Sequence, residues 1–311
     1  MANLTEYGNY SMIYREYYCS PGLGKAMKIS ILIFTIPISI MAFFGNALII
    51  LALRKLSSLH SPSKILISCL ACTDLGVGLI SNPLLNGFYL SPEHSKSCHY
   101  FWALSYTATT ILCGASLSTT TAISVDRLLA LLLGLRYRQV VTVRRVMALV
   151  VTIWLSSILI AAVVYYSYLI ALGMASAGLV LCIVISTFCY TKIYHMLCLS
   201  RAQVQDQGNQ GQRNGEGSQL NKARYKKTVS TAVWIQMTLL ACYLPFGLVG
   251  AVMAIFRLYV QSQSLIYAVT LSLLMSNSTI NPLLYCWKIR DIRQAVRGTI
   301  RQFRCIFSEE A

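Results

Sequence analysis

Six stretches of the chain are almost free of charge: Ile29 to Leu53, Ile65 to Leu90, Phe101 to Val125, Val146 to Thr191, Thr228 to Phe256 and Leu258 to Trp287. Within them Asp74 is the one acidic or basic residue. A bilayer core takes about 20 apolar residues per helix, so each stretch can span, and Val146 to Thr191 is long enough to span twice. Seven spans result. Helices are the economical choice, because backbone groups in hydrocarbon must be paired within their own segment. The apolar–polar alternation of an outer-membrane barrel is not seen. The pattern predicts an all-α membrane protein, a seven-transmembrane helix bundle over residues 26–287.

Two polar segments lie on one side of that bundle. Arg201 to Asn221 is rich in Gln, Gly and Asn and has almost nothing to bury, which predicts a disordered linker, about 201–222, between spans five and six. The end of the chain is different. Ile289, Ile292, Val296, Ile300 and Phe303 recur at spacings of 3, 4, 4 and 3, with Lys288, Arg290, Arg293, Arg297, Arg301 and Arg304 on the remaining face. This predicts an amphipathic eighth helix in residues 288–311, lying in the headgroup plane; a calmodulin-type target helix is the alternative. Cys305 near its end is a candidate palmitoylation site, a second anchoring signal.

Composition agrees with a membrane class: 56% of residues are hydrophobic and 12% charged. Charge adds orientation. Arg15, Lys25, Lys28, Lys96 and Arg257 fall on the side of the amino terminus, and the remaining Lys and Arg fall opposite. The positive-inside rule then places the amino terminus outside and the carboxyl terminus in the cytoplasm. The net charge of +16 is accordingly read as a cytoplasmic surface facing anionic lipid, not a nucleic-acid surface. Residues 1–25 form an extracellular segment with two glycosylation sequons, at Asn3 and Asn9. Cys19 and Cys98 are the two cysteines in oxidising territory and invite a disulfide; two separate thiols are the alternative. The cysteines within the spans read as small apolar residues.

Ionisable groups inside a bilayer are costly and point to function. Asp126 is followed by Arg127 at the inner end of span three, an adjacent pair that can neutralise itself or release the arginine. Asp74 lies deeper, with Asn46, Ser116, Asn277, Ser278 and Asn281 as candidate partners. A carboxylate among hydroxyl and amide oxygens suits a hard monovalent cation; a protonated, hydrogen-bonded acid is the alternative. Pro245 in span six and Pro282 in span seven each remove a backbone donor and loosen the ladder, which makes hinges of both helices. His60, His94, His99 and His195 are scattered, with no cluster at catalytic or metal spacing, so no enzyme is expected. A transporter or channel using Asp74 as an ion or proton site is the rival class, although internal repeats and paired unwound segments are not seen.

Taken in order, GN with Asn46, LACTD with Asp74, DRL with Asp126 and Arg127, Trp154, Tyr190, CYLP and NPLLY resemble the motifs of the rhodopsin-like (class A) G-protein-coupled receptors. The likeness covers nearly the whole chain and implies a plasma-membrane receptor that passes an extracellular ligand's signal to a heterotrimeric G protein. It implies an allosteric sodium ion at Asp74, Ser116, Asn277, Ser278 and Asn281. Arg127, Tyr190 and Tyr285 match the trio that rearranges on activation, and Leu135 matches the residue of the second inner loop that inserts into the G protein. Departures matter too. Tyr243 and Leu239 replace the usual Trp and Phe of span six, and Cys182 replaces the span-five proline. Tyr225 stands where an acid often locks Arg127, which predicts basal activity.

The same likeness frames the ligand. Thr109 stands where amine receptors carry an aspartate, Met275 where opsins carry the retinal lysine, and Gly250 where adenosine receptors carry asparagine. Asn86, Tyr106, Thr109, Thr110, Cys113, Phe246, Tyr267 and Leu271 would line a weakly polar pocket. Trp102 replaces the cysteine at the top of span three, and no cysteine follows span four. In these features the chain is most similar to the melanocortin, cannabinoid and lysophospholipid receptors. A lipid-like or otherwise apolar ligand is preferred, a peptide second. Counting from Trp154 and Tyr190 puts the turn between spans four and five near Tyr166 to Tyr168, too short for the lid that most members fold over the pocket.

Overall fold

The computed structural model describes residues 24–56, 61–92, 95–208, 215–256, 264–288 and 290–309. Among the described residues eight helices carry the fold. They are α1 (Lys25–Lys55), α2 (Ser61–Leu90), α3 (Lys96–Leu133), α4 (Val143–Val163), α5 (Tyr168–Gly208), α6 (Gly215–Phe256), α7 (Ser264–Lys288) and α8 (Arg290–Glu309). No strand occurs among the described residues. Each of α1 to α7 packs on its neighbour in the chain, and α7 closes the ring on α1, while α3 also reaches α5 and α7. The result is a seven-helix bundle. Its outward faces carry Ile33, Leu155, Leu159, Phe188 and Ile255 exposed, as a surface solvated by lipid requires.

Local sequence explains the irregular places. Pro83 cannot donate to the carbonyl four residues back and would press its ring against it. The helix widens there into a π-turn, Val77–Ser81. Helix α3 stops at Gly134, whose φ of +50° lies in the left-handed region that glycine tolerates. A short turn, Gly134–Arg136, follows and then one helical turn, Tyr137–Val140. The Ser95 hydroxyl caps α3 by accepting from the Cys98 amide at 3.1 Å, and Thr142 caps α4.

Only Val164–Ser167 separates α4 from α5. The Ser167 amide donates to the Val163 carbonyl at 2.9 Å, and the Ser167 hydroxyl accepts from the Ile170 amide at 3.5 Å, so the turn both ends one helix and starts the next. Tyr165 and Tyr166 are exposed beside it, where aromatic rings favour the membrane boundary.

The linker expected at 201–222 lies only partly among the described residues. Helix α5 continues to Gly208 and α6 begins at Gly215, so most of 201–222 is helical, and residues 209–214 lie outside the described ones. Arg, Ala and Gln are good helix formers; a polar segment with nothing to bury can still extend a helix already nucleated in the bilayer. The tail helix α8 docks on α1. Ile292 and Val296 are buried against Ile49, Ala52, Leu53 and Leu56, and Tyr285 of α7 joins them. Lys55 of α1 donates to Thr299 at 3.3 Å and to Gln302.

Candidate functional site

Helices α2, α3 and α7 bring three donors onto one carboxylate. Ser116 and Ser278 donate to Asp74 Oδ1 at 2.8 and 2.9 Å, and Asn281 donates to Oδ2 at 2.7 Å. Asp74 has no exposed surface. Of the five expected partners these three converge on it, and two do not. Asn277 donates instead to the Tyr243 hydroxyl at 3.3 Å, and that hydroxyl has Ser116 as a further partner. Tyr243 thus joins α6 to the group that holds Asp74.

Asn46 also turns elsewhere, for a reason visible in the sequence of α7. Pro282 has no N–H, so the Ser278 carbonyl four residues earlier loses its helical partner. Asn46 Nδ2 supplies the missing bond at 2.9 Å and donates as well to Ala42 O at 2.8 Å. Gly45 beside it makes room: a Cβ there would sit 3.1 Å from Pro282 Cγ. The GN pair is therefore the socket for the α7 kink, not a ligand of Asp74.

The oxygen-rich set around Asp74 fits the allosteric cation that the sequence resemblance implies. Two hydroxyls converge on one carboxylate oxygen, and each keeps lone pairs for a hard monovalent ion. Asp74, Ser116, Ser278 and Asn281 would hold it, and it would neutralise a charge that is costly at this depth.

At the inner end, Arg127 Nη2 lies 3.6 Å from Asp126 Oδ2, with Arg127 46% exposed and Asp126 buried. Asp126 does not rely on that pair. Tyr137 donates to its Oδ1 at 2.5 Å, Ser63 donates to its Oδ2 at 3.0 Å, and the two hydroxyls are 3.2 Å apart. Neither Tyr137 nor Ser63 was singled out in the sequence. A lone tyrosine among the arginines of an inner loop was the available signal. Tyr190 is buried with Leu128, Cys189 and Ile193 and Tyr285 with the α1–α8 cluster, and both lie within electrostatic reach of Arg127. Leu135 is 99% exposed on its short turn. The Tyr225 side chain lies outside the described residues.

The outer half is aromatic. Tyr106 stacks on Trp102 at 6.0 Å, and Tyr267 meets Phe246 at 5.6 Å. Cys113 and Leu271 share a buried cluster with Tyr243, Leu239 and Met275. Thr109 is buried, and Thr110 is a side-chain partner of Tyr106. Asn86 is committed to α1, accepting from the Thr35 hydroxyl at 2.6 Å. Cys98 is held in a disulfide, whereas Cys19, Asn3 and Asn9 lie outside the described residues, as does the Cys305 side chain.

Comparison with known proteins decides the family. The model of the 7 transmembrane receptor (rhodopsin family) matches residues 45–169 and 162–285. The chain belongs to the rhodopsin family of seven-transmembrane receptors. Among its relatives, trace amine-associated receptor 9 of Mus musculus is 26% identical over 88% of this chain and 87% of its own. The Homo sapiens receptor of that name is also 26% identical, over 88% and 87%. Adenosine receptor A2b of Gallus gallus is 23% identical over 90% of this chain and 91% of its own. These rhodopsin-family relatives are named for different ligands, so they support the family and no one ligand group within it. The α7 helix, with Thr270, Ser272, Asn277, Ser278, Thr279 and Asn281 buried, supplies the seventh span of the family beside the six helices that pass on apolarity alone.

Proposed function

We propose that this rhodopsin-family receptor transmits the binding of an uncharged, largely apolar ligand in its outer half to a heterotrimeric G protein at its inner ends. The exposed Leu135 carries the coupling half of that reading. A fully exposed leucine on the short turn after α3 has no use within the bundle, and an apolar knob followed directly by a cation, Arg136, is what a docking partner buries. The ligand half rests on charge. Among the described residues no acidic side chain lies in the outer half of the bundle, so a protonated amine would lack a counter-ion. The amino terminus faces outside and the carboxyl terminus the cytoplasm, following the basic residues. Cys98 is disulfide-bonded, and this reading gives it Cys19, the other cysteine expected on the outer side, as partner.

Recruitment of a G-protein probe to cells expressing the full chain tests the coupling. A basal signal above untransfected cells that disappears in Arg127→Ala, at equal surface expression, is the expected result. A signal equal in both would refute it.

A further inference from the structure

The connection from α3 to α4 carries positive charge that the fold does not balance. Gly134 to Arg145 holds Arg136, Arg138, Arg144 and Arg145, with no lysine and no acid. Thr142 caps α4, so Arg144 and Arg145 stand in its first turn, which has no acidic residue. That is the positive end of the helix dipole, where a cation destabilises the helix. Arg145 is accounted for, since it donates to Val140 O at 2.7 Å and ties α4 to the helical turn Tyr137–Val140. Arg136, Arg138 and Arg144 are exposed, and among the described residues no ion pair engages them. The acidic side chains among those residues are Asp74 and Asp126, both buried; Asp126 is already met by Tyr137, Ser63 and Arg127. An anion from outside the chain is what this segment lacks.

Position indicates where that anion comes from. Helix α4 buries Val146, Ile153, Ser157 and Ala161 against the bundle. Arg144 lies on the opposite side. At about 100° per residue it falls within about 20° of Val151 and Leu155 around the helix, and these are 52% and 62% exposed. An apolar line of that kind faces lipid. The 21 residues of α4 cover about 30 Å, the thickness of a hydrocarbon core, so its first turn reaches the headgroup layer. Arg144 therefore leaves the protein sideways, among headgroups. Val140, Val143 and Met147 are exposed around it and give acyl chains a surface to pack on.

We infer that Arg138 and Arg144 bind the headgroup of an anionic membrane lipid that carries a phosphate monoester. The residue type supports this choice. A guanidinium donates two parallel N–H bonds to phosphate oxygens, which an ammonium cannot do, and all four cations of the segment are arginine. Charge supports it too. A phosphate monoester carries about 1.5–2 negative charges and three acceptor oxygens, enough for two arginines at once. A phosphodiester carries one charge and would leave the second arginine unbalanced. The inference goes beyond the proposed function and depends on neither its ligand nor its G-protein half.

The test places the full chain in phosphatidylcholine nanodiscs doped with phosphatidic acid, a monoester, or with phosphatidylserine, a diester, at equal total lipid charge. Phosphatidic acid raises the melting temperature of the wild-type chain by about 2–4 °C once it exceeds its Kd tenfold. Phosphatidylserine gives a smaller rise, and inorganic phosphate in solution gives none. Arg138→Gln with Arg144→Gln removes the phosphatidic-acid rise and leaves the chain folded, because both side chains are exposed. Arg138→Lys with Arg144→Lys keeps the charge and levels the two lipids, because the fork is lost. Arg297→Gln with Arg301→Gln, on the exposed face of α8, keeps the wild-type preference. Equal rises from the two lipids in the wild type, or no rise from either, overturn the inference. So does a preference that survives in the Gln or the Lys pair, or that the α8 pair also loses. If the Gln pair leaves the lipid response intact but abolishes basal G-protein recruitment, these arginines serve a protein surface and the inference is likewise overturned.

Discussion

Replacing Asp74 separates its two roles, because Asn and Leu remove different things. Three donors end on this carboxylate, from Ser116, Ser278 and Asn281. In Asp74→Leu all three lose their acceptor while remaining buried, at about 1–3 kcal/mol each. The sum, roughly 3–9 kcal/mol, is comparable with the whole stability of an ordinary folded chain, about 5–15 kcal/mol. In Asp74→Asn the remaining oxygen still accepts from both serines, and a flipped Asn281 amide can accept where it formerly donated. That variant loses the charge and little of the hydrogen bonding, so it folds at a cost of about 1–2 kcal/mol. If the carboxylate also holds a sodium ion, the wild-type chain gains stability in sodium, about 1.4 kcal/mol when the ion is at ten times its Kd. Thermal unfolding of nanodisc-held receptor, in sodium and in choline at equal ionic strength, measures both effects. The expected pattern is a sodium-dependent rise in the wild type, no such rise in Asp74→Asn, and severe loss of folded protein in Asp74→Leu. A sodium increment that persists in Asp74→Asn, or an Asp74→Leu chain as stable as the wild type, would show that this account of the buried carboxylate is wrong.

Three further outcomes follow from contacts elsewhere. A Cβ at Gly78 would lie 2.8 Å from Phe43 N and 2.8 Å from Ser39 O, backbone atoms of α1 that cannot step aside, so Gly78→Ala lowers the melting temperature by an amount equivalent to about 1–3 kcal/mol; Gly178→Ala, with nothing within 4 Å, is neutral or slightly stabilising. Tyr137→Phe removes one of the hydroxyls that satisfy Asp126, worth about 1.5 kcal/mol at a charged acceptor, and leaves the carboxylate to hold Arg127 more tightly; basal G-protein recruitment falls up to about tenfold, and an unchanged signal at matched surface expression counts against the role.

The spans were legible because hydrocarbon allows so few alternatives, and a run such as Val146 to Thr191 divides in two on length alone. Side-chain chemistry at matching depth supplied what periodicity cannot: that Ser116 and Asn281, far apart in the chain, are candidates to stand beside Asp74. Asn277 and Asn46 show its limit. Both carry the right chemistry at the right depth, yet each had a nearer demand, Tyr243 in one case and the carbonyl orphaned by Pro282 in the other. The kink was readable from the proline; the identity of the donor that repairs it was not, because that depends on how α1 and α7 meet. Tyr137 and Ser63 escaped for a different reason. One sits on an isolated helical turn and the other in the first turn of α2, where no hydrophobic period marks an inward face.

Helix α7 joins the two kinds of evidence. Its buried polar residues, from Thr270 to Asn281, make it the least obvious span by apolarity and the densest part of the site by geometry. These are one property seen twice. A helix that faces lipid on one side and a buried carboxylate on the other must carry its polar groups within a few turns. They are tolerable in the bilayer because α1, α2 and α6 supply partners: Ser278 and Asn281 on Asp74, Asn277 on Tyr243, Thr279 on Ile38 O at 3.2 Å. Withdrawal of any one neighbour strands a donor in hydrocarbon. Movement of α6 alone therefore strains the Tyr243–Asn277 bond before it disturbs Asp74, and α6 carries both Pro245 and Tyr243. A pocket ligand that displaces Tyr243 acts first on Asn277 and through it on the kinked segment at Pro282, which gives the outer half a physical route to the inner end.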